Sequence, residues 1–146
     1  MAGAFPPEEI LHASCVALGG RALLIRGASG RGKSGLALAL MGLGAQLVGD
    51  DRIRLTAEDG ALIARSAPNL DGLIEARGIG LLRAEPYGPA RVVCVIDLDD
   101  VEPERLPPLR KTCLLGISVD LLYRVESPHF GSALLQYLKA GRLDPS

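Results

Sequence analysis

The chain has 146 residues, 16 Lys+Arg against 17 Asp+Glu for a formal net charge of −1, and 48% hydrophobic residues. That length suits one domain, and the apolar fraction is enough for a core, which excludes wholesale disorder. The balanced charge, an aromatic content of 3% and the absence of Trp argue against a nucleic-acid partner, which needs a clustered basic face or stacking rings.

Residues 1–9 carry Pro6, Pro7, Glu8 and Glu9 without a basic patch, so no signal peptide is expected. Two apolar runs, 10–18 and Arg21–Arg26, are joined by Gly19-Gly20, the pattern of a β-hairpin. A helix is predicted over 33–43, where Leu36, Leu40 and Leu43 recur at helical spacing. Leu38 and Met41 widen that stripe until it is nearly buried all round, and Gly44 is the stop. A short buried strand over 45–48 then ends at Asp50-Asp51. The stretch 34–49 is the longest without charge, yet it is too short and too glycine-rich to cross a bilayer, so no membrane partner and a cytoplasmic location are expected.

Residues 53–56 and 61–65 flank Glu58-Asp59-Gly60 and predict a second hairpin. Five apolar residues in a row, Val92 to Ile96, predict a central strand covered on both faces over 91–97. Pro103, Pro107 and Pro108 break the chain after it. Residues 114–123 are ambiguous between helix and strand, with strand favoured near their end. A last helix is predicted from Ser127 as N-cap and Pro128 at the first helical position to a stop at Gly141. Cys15, Cys94 and Cys113 form no close pair and sit among apolar neighbours, which reads as buried small hydrophobes in a reducing compartment. The whole is a mixed α/β chain with a mixed sheet, β-hairpins and two main helices.

Gly27-Ala28-Ser29-Gly30-Arg31-Gly32-Lys33-Ser34 is a complete G-x-x-x-x-G-K-[ST] loop between a predicted strand and a predicted helix. The glycines let successive N–H groups turn toward phosphate oxygens, and the helix that follows adds the positive end of its dipole. Lys33, one of only three lysines, supplies a point charge to the β and γ phosphates of ATP, and the Ser34 hydroxyl is a ligand for Mg²⁺. Such a loop needs an acidic partner for the metal and, for transfer to a hydroxyl, a proton acceptor. Asp97, closing the central strand, and Asp50-Asp51, closing the strand after the loop's helix, both compete for that role. Spacing alone leaves the choice open.

The sequence resembles the C-terminal catalytic domain of the HPr kinase/phosphorylase family. The phosphate loop matches that family's G-x-S-G-x-G-K-S, Leu47-Val48-Gly49-Asp50-Asp51 matches its L-V-x-D-D segment, and Glu75-Ala76-Arg77-Gly78-Ile79-Gly80 matches its E-x-R-G-x-G signature. His12, ahead of the loop, also stands where the family has a histidine, and the likeness runs over about 11–143. The resemblance implies a single P-loop kinase-type domain over 1–146. It also implies an ATP- and Mg²⁺-dependent kinase for a serine of HPr or its nitrogen-system counterpart, with phosphorolysis as the reverse reaction and a homo-oligomer left open. By the same resemblance Asp50 would be the general base, Asp51 would orient it, and Ser34 and Glu75 would hold Mg²⁺. Arg77 would lie near the phosphates or the protein substrate, His12 at the edge of the phosphate pocket, and Asp97 would be a strand-end residue.

Four departures stand beside these matches. Gly35 replaces the family's usual Glu after the GKS, and the loop Ala84-Glu85-Pro86-Tyr87-Gly88-Pro89 is short and carries no arginine. Ser127-Pro128-His129-Phe130-Gly131 replaces a proline-glycine-arginine stretch, and no separate N-terminal domain precedes the match. Two other readings remain: a different P-loop small-molecule kinase, a carboxykinase relative ranking low among these, and a degenerate ATP-binding sensor that docks on a phosphotransfer protein.

Overall fold

The computed structural model describes residues 7–69 and 71–144, so the expectation about residues 1–6 lies outside the described residues. Strands make up most of the regular structure, and nine of them build one mixed sheet. Its elements are β1 (Glu8–Leu11), β2 (Ala13–Leu18), β3 (Arg21–Arg26), α1 (Lys33–Gly42), β4 (Gln46–Gly49), β5 (Ile53–Glu58), β6 (Ala61–Ser66), β9 (Ala90–Val101), β10 (Lys111–Leu114), β11 (Ile117–Arg124) and α2 (Phe130–Ala140). A separate small sheet is the hairpin β7 (Leu73–Ala76) and β8 (Gly80–Arg83).

The strands run β1-β5-β6-β9-β3-β2-β4, with β11 also parallel to β9 and β10 antiparallel to β11. The sheet is buried on both faces, which is why strands such as β3 and β9 are nearly continuous apolar runs. One face packs Val16, Leu23, Ile25, Cys94 and Ile96 against Ala37 and Leu40 of α1 and Leu134 and Leu138 of α2. The other joins Cys15, Leu24 and Val95 to Ile53 and Leu55 of β5 and Leu62 and Ala64 of β6. Among the described residues no helix is long and apolar enough to cross a membrane.

Several expectations are corrected. Residues 10–18 are two strands broken at His12: β1 pairs with β5, and only β2 forms the predicted hairpin with β3. Near the end of 114–123 the favoured strand is borne out as β11, which pairs back on β10 through a turn at Leu115-Gly116, while the β7–β8 hairpin has no clear prediction because Glu and Arg interrupt its alternation. Helix α1 buries only Lys33, Ala37 and Leu40, leaving Gly35, Ala39 and Gly42 in solvent. Helix α2 begins at Phe130 with His129 as its N-cap. Ser127 Oγ bonds His129 Nδ1 at 2.6 Å instead of capping the helix, while Gly141 is the stop, as expected.

Cys15 and Cys94 are buried as expected, but Cys113, on the edge hairpin, is exposed. Burial pushes the Cys94 thiol up to about 12 and the Cys15 thiol higher still. Titration of the native protein with a thiol-specific reagent should modify Cys113 alone, the other two reacting only after denaturant is added. Gly49 is close-packed: a Cβ there would lie 2.7 Å from Ile53 Cδ1 and 3.3 Å from Ser66 Cα. Gly49→Ala should therefore lower stability by about 1–3 kcal/mol, read as a shift of the urea midpoint.

Candidate active site

The chain leaves β3 at Arg26 and re-enters regular structure at Lys33, and the loop between them has to turn its amides inward. Gly30 and Gly32 do this at φ +86° and +93°, and no atom lies within 4 Å of where a Cβ would stand on either, so the concave side is open. Gly32 is the N-cap of α1 without any capping side chain, which leaves the first-turn N–H groups, including those of Lys33 and Ser34, without intrahelical partners. Lys33 is only 8% exposed, and its Nζ donates to the carbonyls of Gly27 (2.7 Å) and Ala28 (3.3 Å). The loop is braced from outside by Asp99, whose Oδ1 accepts from Ala28 N–H at 2.9 Å and lies 3.4 Å from Arg31 Nε.

Asp50, 7% exposed, is where the elements converge. Its Oδ1 accepts from Ser14 Oγ of β2 at 2.6 Å, and Ser34 Oγ of α1 reaches both carboxylate oxygens, at 2.8 and 3.0 Å. The backbone N–H of Glu75 in β7 donates to Oδ2 at 3.2 Å. The next residue, Asp51, sits at φ +73°, and Arg52 N–H closes a three-residue turn onto the Asp50 carbonyl at 2.8 Å. A non-glycine residue there costs about 1–3 kcal/mol and persists only because its surroundings hold it. Ala13 N–H, donating to the Asp51 carbonyl, is part of that hold. The turn sends Asp51 outward, where its Oδ1 lies 2.7 Å from His12 Nε2 with both side chains about 60% exposed.

These groups line one cleft of about 490 Å³. It contains His12, Ser14, Ser29, Gly30, Gly32, Lys33, Ser34, Asp50, Asp51, Glu75 and Arg77, with Ile79 at the rim. Of the loop residues named from the sequence, Gly27, Ala28 and Arg31 are absent from the cleft wall. Gly27 and Ala28 turn their carbonyls to Lys33, and Arg31 turns toward Asp99. Glu75 and Arg77 arrive on the β7–β8 hairpin, whose turn is closed by Ile79 N–H on the Ala76 carbonyl, and both are exposed.

Asp97 is corrected in position. It lies inside β9, which runs on to Val101, and its Oδ2 accepts from Arg26 Nε at 3.1 Å, away from the cleft. Asp50 reaches the loop across an intervening strand. β4 is not beside β3; β2 lies between them, antiparallel to both, and its Ser14 spans the gap. Ser14 and Asp99 were missed by the sequence reading. Ser14 had a legible signal, since alternation places it on the helix-facing side with Val16, where it is the hydroxyl in an apolar run. Asp99, in a run of acids after the central strand, had none.

The oxygen-rich donor set fits a small hard divalent cation. Among the described residues no three His, Cys, Asp or Glu side chains converge as a complete cage. Ser34 and Glu75 lining one wall suit a Mg²⁺ ion that takes one or two protein oxygens and leaves its remaining positions to phosphate and water.

Comparison with known proteins bears on the same region. A family model described as the HPr serine kinase C-terminal domain matches residues 3–98. The chain is 40% identical over 94 residues to an HPr kinase/phosphorylase of Clostridium beijerinckii, covering 64% of this chain and 31% of that protein. It is 36% identical over 107 residues to one of Geobacillus thermodenitrificans, covering 68% and 35%. The solved HPr(Ser) kinase/phosphatase of Coxiella burnetii superposes with a TM-score of 0.76 at 28% identity, covering 90% of this chain and 94% of that one. The chain thus spans about a third of the length of the curated relatives it matches, and β10, β11 and α2 lie beyond the family model's reach.

Replacing Ser14 by Ala removes a fully buried hydroxyl from the Asp50 carboxylate. Chemical denaturation should show a loss of about 1–3 kcal/mol, while an exposed-site control such as Ser118→Ala should stay within about 0.5 kcal/mol.

Proposed function

The chain belongs to the HPr serine kinase C-terminal domain family, and from that premise we propose that it is an ATP-dependent protein serine kinase acting as a single domain over 1–146. Its acceptor on this reading is a serine hydroxyl of a small phosphocarrier protein, HPr or its nitrogen-system counterpart. The observation that carries the proposal is the 2.8 Å contact between Ser34 of the phosphate loop and the Asp50 carboxylate, which puts a phosphate cradle and a proton acceptor in one cleft.

The roles follow from chemistry and position. Phosphoryl transfer depends on positioning and on neutralising charge more than on covalent catalysis. The loop amides of Ser29, Gly30 and Gly32 to Ser34, with the Lys33 ammonium, bind the triphosphate, Lys33 exchanging its carbonyl partners for phosphate oxygens. Gly27, Ala28 and Arg31 set the loop's shape. Three carboxylates (Asp50, Asp51, Glu75) against two fixed cations (Lys33, Arg77) leave the cleft net negative, so a polyanion enters with a divalent cation. Ser34 and Glu75 would hold Mg²⁺, which would supply charge neutralisation for the phosphates when bound. Asp50 takes the proton of the incoming serine hydroxyl as its oxygen bonds to the γ phosphorus and the bond to the β-phosphate oxygen of ADP breaks. Asp51, held by His12, orients the acceptor side of the site, and Arg77 at the hairpin tip faces the transferring phosphate or the carrier protein.

A protein acceptor is favoured over a free metabolite by the rim. Ile79, 77% exposed, lines this cleft, and Ile10, 52% exposed, lines the adjoining concavity that shares His12 and Asp51, exposed apolar groups of the kind protein interfaces bury. The phosphorolytic reaction would reuse the same groups, with Asp50 activating inorganic phosphate against the phosphoserine.

Incubation with γ-labelled ATP, Mg²⁺ and purified carrier protein should yield phosphoserine on the carrier. Asp50→Asn should lower the rate by about 10²–10⁴-fold while ATP still binds. Wild type that binds Mg-ATP yet labels no carrier would establish the sensor reading, and labelling of a small hydroxylated metabolite would establish the metabolite kinase.

A further inference from the structure

The phosphate loop carries two cations that go separate ways. Lys33 lines the cleft, whereas Arg31 turns outward, its Nε 3.4 Å from Asp99 Oδ1. Lys33 is the more enclosed of the two, yet among the described residues it forms no ion pair. A buried ammonium is costly without compensating charge. Here the compensation reaches it through a single peptide.

The peptide between Gly27 and Ala28 is gripped at both ends. Its carbonyl accepts from Lys33 Nζ at 2.7 Å, and its N–H donates to Asp99 Oδ1 at 2.9 Å. In a planar trans peptide the C=O and N–H bonds point in opposite directions. A carboxylate on the outer side of the loop therefore obliges the carbonyl to face the lysine. Bonding to an ionised acceptor also polarises the peptide, which makes its carbonyl a stronger acceptor. Asp99 is located in turn by β9: its N–H donates to Asp97 Oδ1 at 2.9 Å, and Asp97 Oδ2 accepts from Nε of Arg26, the last residue of β3, at 3.1 Å. A Cβ on Gly27 would stand 3.2 Å from Leu98 Cβ, so a bare backbone at 27 lets β9 lie this close.

We infer that Asp99 is a positioning residue for the phosphate-binding lysine. Through the Gly27–Ala28 peptide it aims the carbonyl that holds the Lys33 ammonium in the cleft until phosphate oxygens replace that carbonyl. The same carboxylate keeps Arg31 outside, so the loop presents one cation and not two. This rests on the phosphate-binding reading above and names the group that sets where its cation waits. Asp97, away from the cleft, takes part indirectly by fixing the backbone of Asp99.

Asn and Ala at position 99 separate the hydrogen bond from the charge, since both remove the charge and only Ala removes the accepting oxygen. The chain has three lysines, so lysine-selective isotope labelling gives one side-chain nitrogen signal each for Lys33, Lys111 and Lys139. In the nucleotide-free protein the Lys33 signal of Asp99→Ala should move toward that of the exposed Lys139, while Asp99→Asn keeps the wild-type position. Lys111, paired with Asp120 at 2.7 Å, should move in neither variant. Calorimetry should show Asp99→Ala binding Mg-ATP about fivefold more weakly than Asp99→Asn. A Lys33 signal that stays in place in Asp99→Ala, or moves equally in Asp99→Asn, would overturn the role. Equal affinities of the two variants, or a displaced Lys111 signal that reports general loosening, would overturn it too. Wild type that binds no Mg-ATP would overturn the phosphate-loop reading and this role with it, an outcome distinct from wild type that binds while the two variants match.

Discussion

One buried carboxylate holds the site together. Asp50 receives a hydroxyl from β2, a hydroxyl from the first turn of α1 and an amide from β7, so three elements far apart in sequence are tied to one side chain. A buried acid is costly unless its lone pairs are satisfied, and here Ser14 donates to one oxygen, the Glu75 N–H to the other, and the single Ser34 hydroxyl lies within 3.0 Å of both. That requirement fixes Ser34 against the acid and draws in the β7–β8 hairpin, whose strands pair only with each other among the described residues and which brings Glu75 and Arg77. The phosphate loop, the acid and the hairpin therefore form a unit whose geometry depends on one anchor.

Around that anchor the structure separates rigidity from access. Asp50 is enclosed and tightly bonded, whereas Asp51, one residue later, is turned outward by a strained backbone and meets His12 at the surface. Adjacent identical residues thus do different work because a positive φ reverses the direction of the second. On the opposite side of the loop Asp99 and Arg124 hold the outer strand of the cradle through its backbone, so the amides facing the cleft are not spent on internal bonds. The loop is stiff where it meets the protein and open where it meets solvent.

The resemblance to a kinase family rests on the region that carries these contacts. The family model covers β1 to most of β9, including His12, the loop, Asp50-Asp51 and Glu75–Gly80. The remaining elements agree with the solved relative in shape, since the superposition covers nine-tenths of the chain. Of the departures, Gly35 is an exposed position on α1 that lines the cleft without bonding the anchor, and Tyr87 in the short 84–89 segment donates its N–H to the Leu47 carbonyl of β4, following the sheet edge.

Local chemistry made much of this legible from sequence. The glycine pattern with Lys33 and Ser34 dictates an open anion-binding turn before a helix, and the run Val92–Ile96 dictates a strand buried on both faces, because each is a property of consecutive residues. The hairpin at 19–20 and the stop at Gly141 were fixed by backbone conformations that glycine adopts freely. What only the tertiary structure decided was which distant groups meet. Spacing could not choose between Asp50 and Asp97; strand order did, giving Asp97 to Arg26 and putting β2 between the loop strand and the Asp50 strand. Ser14 became a partner of Asp50 through that insertion, and Arg124 reaches the Leu98 carbonyl because β11 lies parallel to β9. Pairing order depends on contacts between residues tens of positions apart, which no local period encodes.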